Sequence, residues 1–346
     1  HGNYIAMGAY SGTCPWCNSR TCRHARAYGQ SFVEATHKYA DQVERLIRRG
    51  DIKPDVIHSH DWLTLEAGAR AKKLTHRPLI AHVHATEFDR AGAHYGNPLI
   101  HDIEYNGLMM ADRIIAVSQI TKNLIVKEYH IPADKIEVVH NSLDPDELKH
   151  TVAETNNYVY AKAMRARGWT IVSSLGRLTV QKGLWFLLQA AALALRKNPR
   201  MLFLVAGDGE QRNELIELAA DLGIADRVIF TGFVRGARWR EIYEISDIFV
   251  MPSVSEPFGL TALEAAAYGN AIVLSKQSGV GESLDSVLRF DYWDTRRLAD
   301  QLVGISLSPA LKNELKDNVA SEFARFSWAD AADRYLETYA RAGALA

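Results

Sequence analysis

The sequence predicts an α/β protein of two Rossmann-like domains. Three observations carry this: apolar runs of strand length, helical periodicity between them, and a restart of the whole pattern half-way along the 346 residues. At roughly one domain per 150 residues, the length also favours two.

In chain order, Phe32, Val33, Ala40, Val43, Leu46 and Ile47 recur at helical spacing and stop at Gly50, which predicts a helix over 30–49. A short apolar run over 55–59 follows. PLIAHVHA, a helix ending near Met110, RIIAVS, a helix over 119–129 and KIEVVH then alternate as strand and helix. Polar residues interrupt the rhythm, and TIVSSL, MLFLVAG, RVIFTG, DIFVMPS and AIVLS restart it. Strands this continuously apolar belong in a parallel sheet covered on both faces. The expected organisation is a first domain over 1–150, a linker over 151–169, a second domain over 170–325, and a C-terminal helix over 326–346 that packs back toward the first domain.

The formal net charge is -1, with 47% apolar and 23% charged residues, so no bulk charge recruits nucleic acid or an anionic membrane surface. No apolar run reaches the roughly 18 residues of a membrane span, and the opening HGNYIAMGAYSG lacks the blocks of a signal peptide. The expected location is cytoplasmic. The oligomeric state has no signature in the sequence. Cys14, Cys17 and Cys22, with His24, supply either four zinc ligands or free thiols; a redox reading of CPWC is weakened by the surrounding loop residues.

The strongest chemical signal is SVSEPFGLTALEAAAYG over 253–269. Glu256 stands in a loop after a strand, Pro-Phe-Gly makes a turn, and a helix opens near Leu260 and carries Glu264. The amides of Phe258, Gly259 and Leu260 at a helix N-terminus suit a diphosphate or a sugar hydroxyl. Five helical residues span ~7.5 Å, about the length of a pyrophosphate, so one carboxylate can take sugar hydroxyls and the other ribose hydroxyls. A capping role for Glu256 and a surface role for Glu264 are the plain alternatives. GRLTVQKG places Arg177 and Lys182 after the first strand of the second domain, where fixed cations stabilise the charge of a departing diphosphate; solvated surface charge is the alternative.

VAGDGEQRN imitates a dinucleotide fingerprint, but Arg212 stands at its third glycine position. Gly207 and Gly209 are read as making room for a nucleoside at a strand end, and TGFV, with Phe233, as reading a base or forming a plain turn. In the first domain, HSHDW and AHVHATEFDR put Asp61, His84 and Glu87 at strand ends, with a satisfied core histidine as the alternative for His84. His82 and His84 share a face, and a zinc site of His58, His60, His82 and His84 is possible, although nothing in the sequence fixes their spacing.

These motifs match a known family. The chain resembles the retaining GT-B glycosyltransferases of the group 1 (family four) type, in the glycogen/starch-synthase-like branch. The resemblance runs from about Tyr28 to the C-terminus and is carried by HDW, HVHATEFDR, VVHNS, LGRLTVQKG, GFV, MPSVSEPFGLTALEA and SKQSGVGESL. It implies two Rossmann-like domains facing across a cleft, and transfer of a hexose, glucose first, from a UDP- or ADP-linked donor to a glycan acceptor. It assigns donor-sugar hydroxyls to Glu256, ribose to Glu264, and diphosphate to Arg177 and Lys182 with the amides of Phe258, Gly259 and Leu260. His84 lines the sugar site from the facing domain, Asp61 lies toward the acceptor, and Asn141 matches a cleft-facing asparagine. Transfer in the family retains anomeric configuration without a protein nucleophile, the leaving phosphate helping to deprotonate the acceptor. The resemblance implies no metal or other cofactor. Family members open on a strand and a Gly-Gly loop that nothing in residues 1–27 resembles, and the first domain is read as incomplete at its start. Two other readings stand beside the main one: a donor-binding protein impaired in catalysis by lack of that loop, and a nucleotide-sugar epimerase, which the E-x7-E pair disfavours.

Overall fold

The computed structural model describes residues 30–92, 96–144, 148 and 157–343. Cys14, Cys17, Cys22 and His24 lie outside them. The described residues form two compact units. The first gathers residues up to Arg90, from 96 to Val139, and from Ala332 on; the second gathers Ala91, Gly92 and His140–Ala331.

In the first unit, α1 (Gln30–Arg49), β1 (Ile57–His60), α2 (Asp61–Thr75), β2 (Leu79–Val83), α3 (Glu87–Arg90), α4 (Pro98–Met110), β3 (Arg113–Ala116), α5 (Gln119–Glu128) and β4 (Ile136–Val138) follow one another. Their strands make a parallel sheet in the order β1-β2-β3-β4. Every residue of β2 is buried, as expected of a strand covered on both faces. On one face Leu79, Ala81 and Val83 pack with Ile114 and Ala116. On the other, Ile80 and Ile115 pack with Tyr335 and Tyr339 of the last helix, Trp328–Arg341. Thr338 of that helix donates to Glu137 at 2.9 Å.

The second unit opens with α6 (Val159–Ala166), a helix inside the stretch expected to be a connection. Then come β5 (Thr170–Leu175), α7 (Leu184–Lys197), β6 (Met201–Ala206), α8 (Arg212–Asp221), β7 (Val228–Gly232), α9 (Ala237–Ile245), β8 (Ile248–Met251), α10 (Leu260–Ala267), β9 (Ala271–Ser275), β10 (Leu288–Phe290), α11 (Thr295–Leu307) and α12 (Pro309–Phe323). The sheet order is β10-β9-β8-β5-β6-β7. The chain therefore winds from β5 toward one edge and returns through β8 toward the other. At such a reversal the loops after the two neighbouring strands diverge and leave a crevice outside their carboxyl ends. β5 and β6 are buried along their whole length, with Val172, Phe203 and Val205 in the core beside Leu187 and Leu188 of α7.

Among the described residues no helix is long and apolar enough to cross a membrane.

Candidate active site

The crevice at the carboxyl ends of β5 and β8 holds a pocket whose lining includes Gly176, Arg177, Lys182, Ser253, Glu256 and Thr261. Two loops build it, and backbone stitches them together. Val254 donates to the Gln181 carbonyl at 2.9 Å. Gly183, at φ +65°, passes so close to Pro252 that a Cβ would lie 2.0 Å from that carbonyl oxygen. Only glycine permits both the left-handed backbone and the approach.

This stitching sets Lys182 Nζ 2.5 Å from Glu256 Oε2, and Ser253 Oγ donates to the same oxygen at 3.1 Å. Glu256 is itself buried, at 8% exposure, and its loop is pinned by hydrogen bonds of its amide to Gln277 and of Gly279 to its carbonyl. The carboxylate is thus held by a cation in a fixed place. The turn that follows reaches α10 through Gly259, at φ +110°, where a Cβ would meet the Met251 sulfur at 2.8 Å. No side chain caps α10. Its opening amides therefore lack intrahelical acceptors next to the pocket that Thr261, in its first turn, helps to line. Phe258 is buried, its ring 6.0 Å from that of His140, whereas Leu260 is exposed. Asn141, beside His140, is half-buried.

Glu264 lies further along α10, where Tyr243 donates to its Oε2 at 2.6 Å. Burial raises the Glu264 pKa, opposed by hydrogen bonds from Tyr243 and Trp239. Tyr243 is fully buried and stacks on Tyr268 with centroids 5.7 Å apart.

The glycines after β6 lie close against the loop that carries Arg177. A Cβ on Gly207 would stand 1.8 Å from the Gly176 carbonyl oxygen, and one on Gly209 2.4 Å from that of Leu178. These glycines shape the Arg177 loop. Phe233, after β7, is 61% exposed and presents an open ring.

In the first unit, Asp61 opens α2 at φ +55°, a strained conformation for a residue with a side chain. Its Oδ1 accepts from the amides of His84 at 2.7 Å and Ala85 at 3.3 Å, and so fixes the loop after β2. His84 Nε2 lies 3.0 Å from His60 Nδ1. The TEFDR segment buttresses this loop from below. Arg90 donates to the Ala85 carbonyl at 3.1 Å, to Glu87 at 3.2 Å and to Glu104 at 2.5 Å. Glu104 also accepts from the Glu87 amide and the Tyr129 hydroxyl. Burial lifts the Glu104 pKa to about 7 against the pull of Arg90, Tyr129 and that amide. Glu87 is a buried member of this network.

His58, His60, His82 and His84 project from one side of β1 and β2 as a stack, with neighbouring ring centroids 4.1 to 5.3 Å apart. Burial, then the neighbouring imidazoles, lowers His58 to about 4 and His82 further, so both rings are neutral at pH 7.

Both halves of the chain match known glycosyltransferases. Residues 19–147 match the Glycosyltransferase Family 4 pattern and residues 164–286 that of the Glycosyl transferases group 1. An uncharacterized glycosyltransferase of Methanocaldococcus jannaschii is 34% identical over 233 residues, covering 66% of this chain and 60% of its own length. The D-inositol 3-phosphate glycosyltransferase of Mycolicibacterium smegmatis is 30% identical over 305 residues, covering 83% of this chain and 67% of its own length. The chain belongs to the group 1 glycosyltransferases of family four. It spans about 60% of the archaeal relative. Among solved structures, Anabaena HepE in complex with UDP and glucose aligns at TM-score 0.71 and 20% identity, over 89% of this chain and 81% of that one. The group 1 glycosyltransferase is thus built on the GT-B fold, as its sequence motifs imply.

Within this glycosyltransferase, sequence reasoning missed Ser253, Thr261, Tyr243, Arg90 and Glu104. Ser253 and Thr261 stood inside the quoted SVSEPFGLT motif and needed only its loop geometry. Tyr243 carries no local signal, because its partner Glu264 sits on another helix 21 residues later.

Proposed function

We propose that this group 1 glycosyltransferase transfers a hexose, glucose first, from a UDP- or ADP-linked donor to a glycan acceptor with retention of anomeric configuration. The observation that carries the reading is the Lys182–Glu256–Ser253 arrangement at the uncapped opening of α10, with Arg177 in the same pocket. Arg177, Lys182 and the amides of Phe258, Gly259 and Leu260 take the donor diphosphate, and the negative charge that grows as the glycosidic bond breaks meets cations already in place. Glu256 accepts from hydroxyls of the donor sugar. Glu264 accepts from the ribose, whose hydroxyls offset the desolvation of that buried carboxylate. Phe233 gives the base a face to stack on. Asn141 follows His140, whose ring lies near that of Phe258, and is assigned to the donor.

From the first unit we assign His84 to the sugar site and Asp61 toward the acceptor. Asp61 fixes the loop that presents the His84 ring. The leaving phosphate takes the acceptor proton, so the step uses no protein nucleophile and no metal. The HepE complex with UDP and glucose supports a UDP donor by analogy of fold.

Glu264→Ala is expected to weaken UDP binding by about 1.5–3 kcal/mol, the worth of a hydrogen bond to a charged group, which is roughly 10- to 150-fold in Kd. Titration calorimetry with UDP, and a melting-temperature screen across UDP-, ADP- and GDP-glucose, read the effect and the base together. Equal affinity in wild type and variant contradicts the ribose assignment. NMR of the product anomer tests retention.

A further inference from the structure

We propose that His58, His60 and His82 form a binding site for a divalent transition-metal ion of the zinc class, on the face of the first unit's sheet that packs with the last helix. Strands β1 and β2 run parallel with His60 opposite His82. Alternation along each strand places His58 and His60 on one face, and His82 on the same face of the neighbouring strand. One candidate ligand atom from each ring lies within 4.8 Å of the others.

The hydrogen bonding leaves lone pairs where an ion needs them. His58 Nδ1 is 2.6 Å from the Tyr339 hydroxyl. With Nδ1–H donating to that oxygen, the lone pair falls on Nε2, which is buried and has no hydrogen-bond partner among the described residues. This is the outer-shell arrangement that orients a metal-bound histidine. His60 meets His84 through Nδ1, which leaves its Nε2 for a second partner. His82 is 2% exposed, and both its ring nitrogens are without a partner among the described residues. A buried imidazole that satisfies neither nitrogen is costly, and an ion relieves that cost at the lone pair.

The donor set selects the ion. Three neutral imidazoles suit zinc, copper, nickel or cobalt, whereas calcium and magnesium require oxygen ligands. Around tetrahedral zinc, with bonds of about 2.0–2.1 Å, neighbouring nitrogens lie ~3.4 Å apart, so the stacked rings close on the ion by rotating about their soft terminal torsion. The fourth position stays open to solvent or an acceptor group. Because His60 also holds His84, an ion here orients the ring assigned to the sugar site. The transfer step itself does not require the ion.

The test uses the full chain with Cys14, Cys17 and Cys22 replaced by serine and His24 by alanine, which removes the other candidate zinc cluster. After chelator stripping and dialysis, cobalt(II) and zinc(II) are titrated. The expected result is one ion per chain, with the intense visible bands of tetrahedral cobalt and no thiolate charge-transfer band. His60→Ala lies at the exposed rim and spares the core; it is expected to weaken binding more than the ~10- to 100-fold typical of outer-shell changes, while Tyr339→Phe falls within that range. Circular dichroism confirms that both variants are folded. Absence of stoichiometric binding in the cysteine-free chain, or unchanged affinity in folded His60→Ala, overturns the proposal.

Discussion

Glu256→Gln is expected to reduce sugar transfer by ~10²–10³-fold or more in kcat while leaving the protein folded. The amide is nearly isosteric, so packing survives. What is lost is the negative charge that Lys182 approaches at 2.5 Å and that Ser253 also contacts. Two consequences follow for the transition state. The donor sugar loses a charged acceptor, and Lys182 loses the partner that holds it toward the pocket. Steady-state kinetics with a nucleotide-sugar donor, run beside calorimetry with the free nucleotide, separates the two. UDP affinity should change much less than kcat. A kcat within about threefold of wild type removes Glu256 from the machinery.

Arg90→Met should produce the largest loss of stability, about 3–5 kcal/mol, because it strips a buried carboxylate of its cation. Arg90 is the side chain that holds Glu104, Glu87 and the Ala85 carbonyl together. The deficit has a pH signature whose sign is fixed. Burial already raises Glu104 above its unfolded value, to about 7, with Arg90 pulling it down. Removing Arg90 raises it further. A carboxyl with a raised folded-state pKa binds more protons folded than unfolded, so stability falls as pH climbs from the unfolded value toward the folded one. The variant should therefore be least stable relative to wild type above pH 7 and recover part of the loss near pH 5. Urea unfolding at the two pH values reads this. The double variant Arg90→Met/Glu104→Leu, which buries no lone charge, should regain much of the loss. A pH-independent deficit would show that Arg90 acts through packing alone.

The sequence makes the two parallel sheets legible because strands such as TIVSSL and MLFLVA are buried on both faces and are therefore apolar throughout. It makes the α10 turn legible because Glu256, Gly259 and Glu264 sit in one short segment, where helix geometry alone relates them. It does not show that Lys182 and Glu256, 74 residues apart, are ion-paired, since only the crossing from β5 to β8 brings their loops together. Gly207 is a further case. A glycine at a strand end reads as room for a ligand, whereas its close approach to the carbonyl of Gly176 depends on how the two loops fold together. The helix Val159–Ala166 was hidden by the polar residues around it, which dominate a reading by composition. The histidine stack depended on strand register, which alternation within each strand leaves undetermined.

The grip on an anionic leaving group in the second unit is tested most directly by a crystal structure of the chain with bound UDP. The β-phosphate oxygens should lie within hydrogen-bond distance, about 2.7–3.2 Å, of the amides at Gly259 and Leu260 and of the Lys182 and Arg177 side chains, with the ribose hydroxyls on Glu264. A nucleotide whose phosphates bind away from the opening of α10, leaving Lys182 on Glu256 undisturbed, contradicts the account.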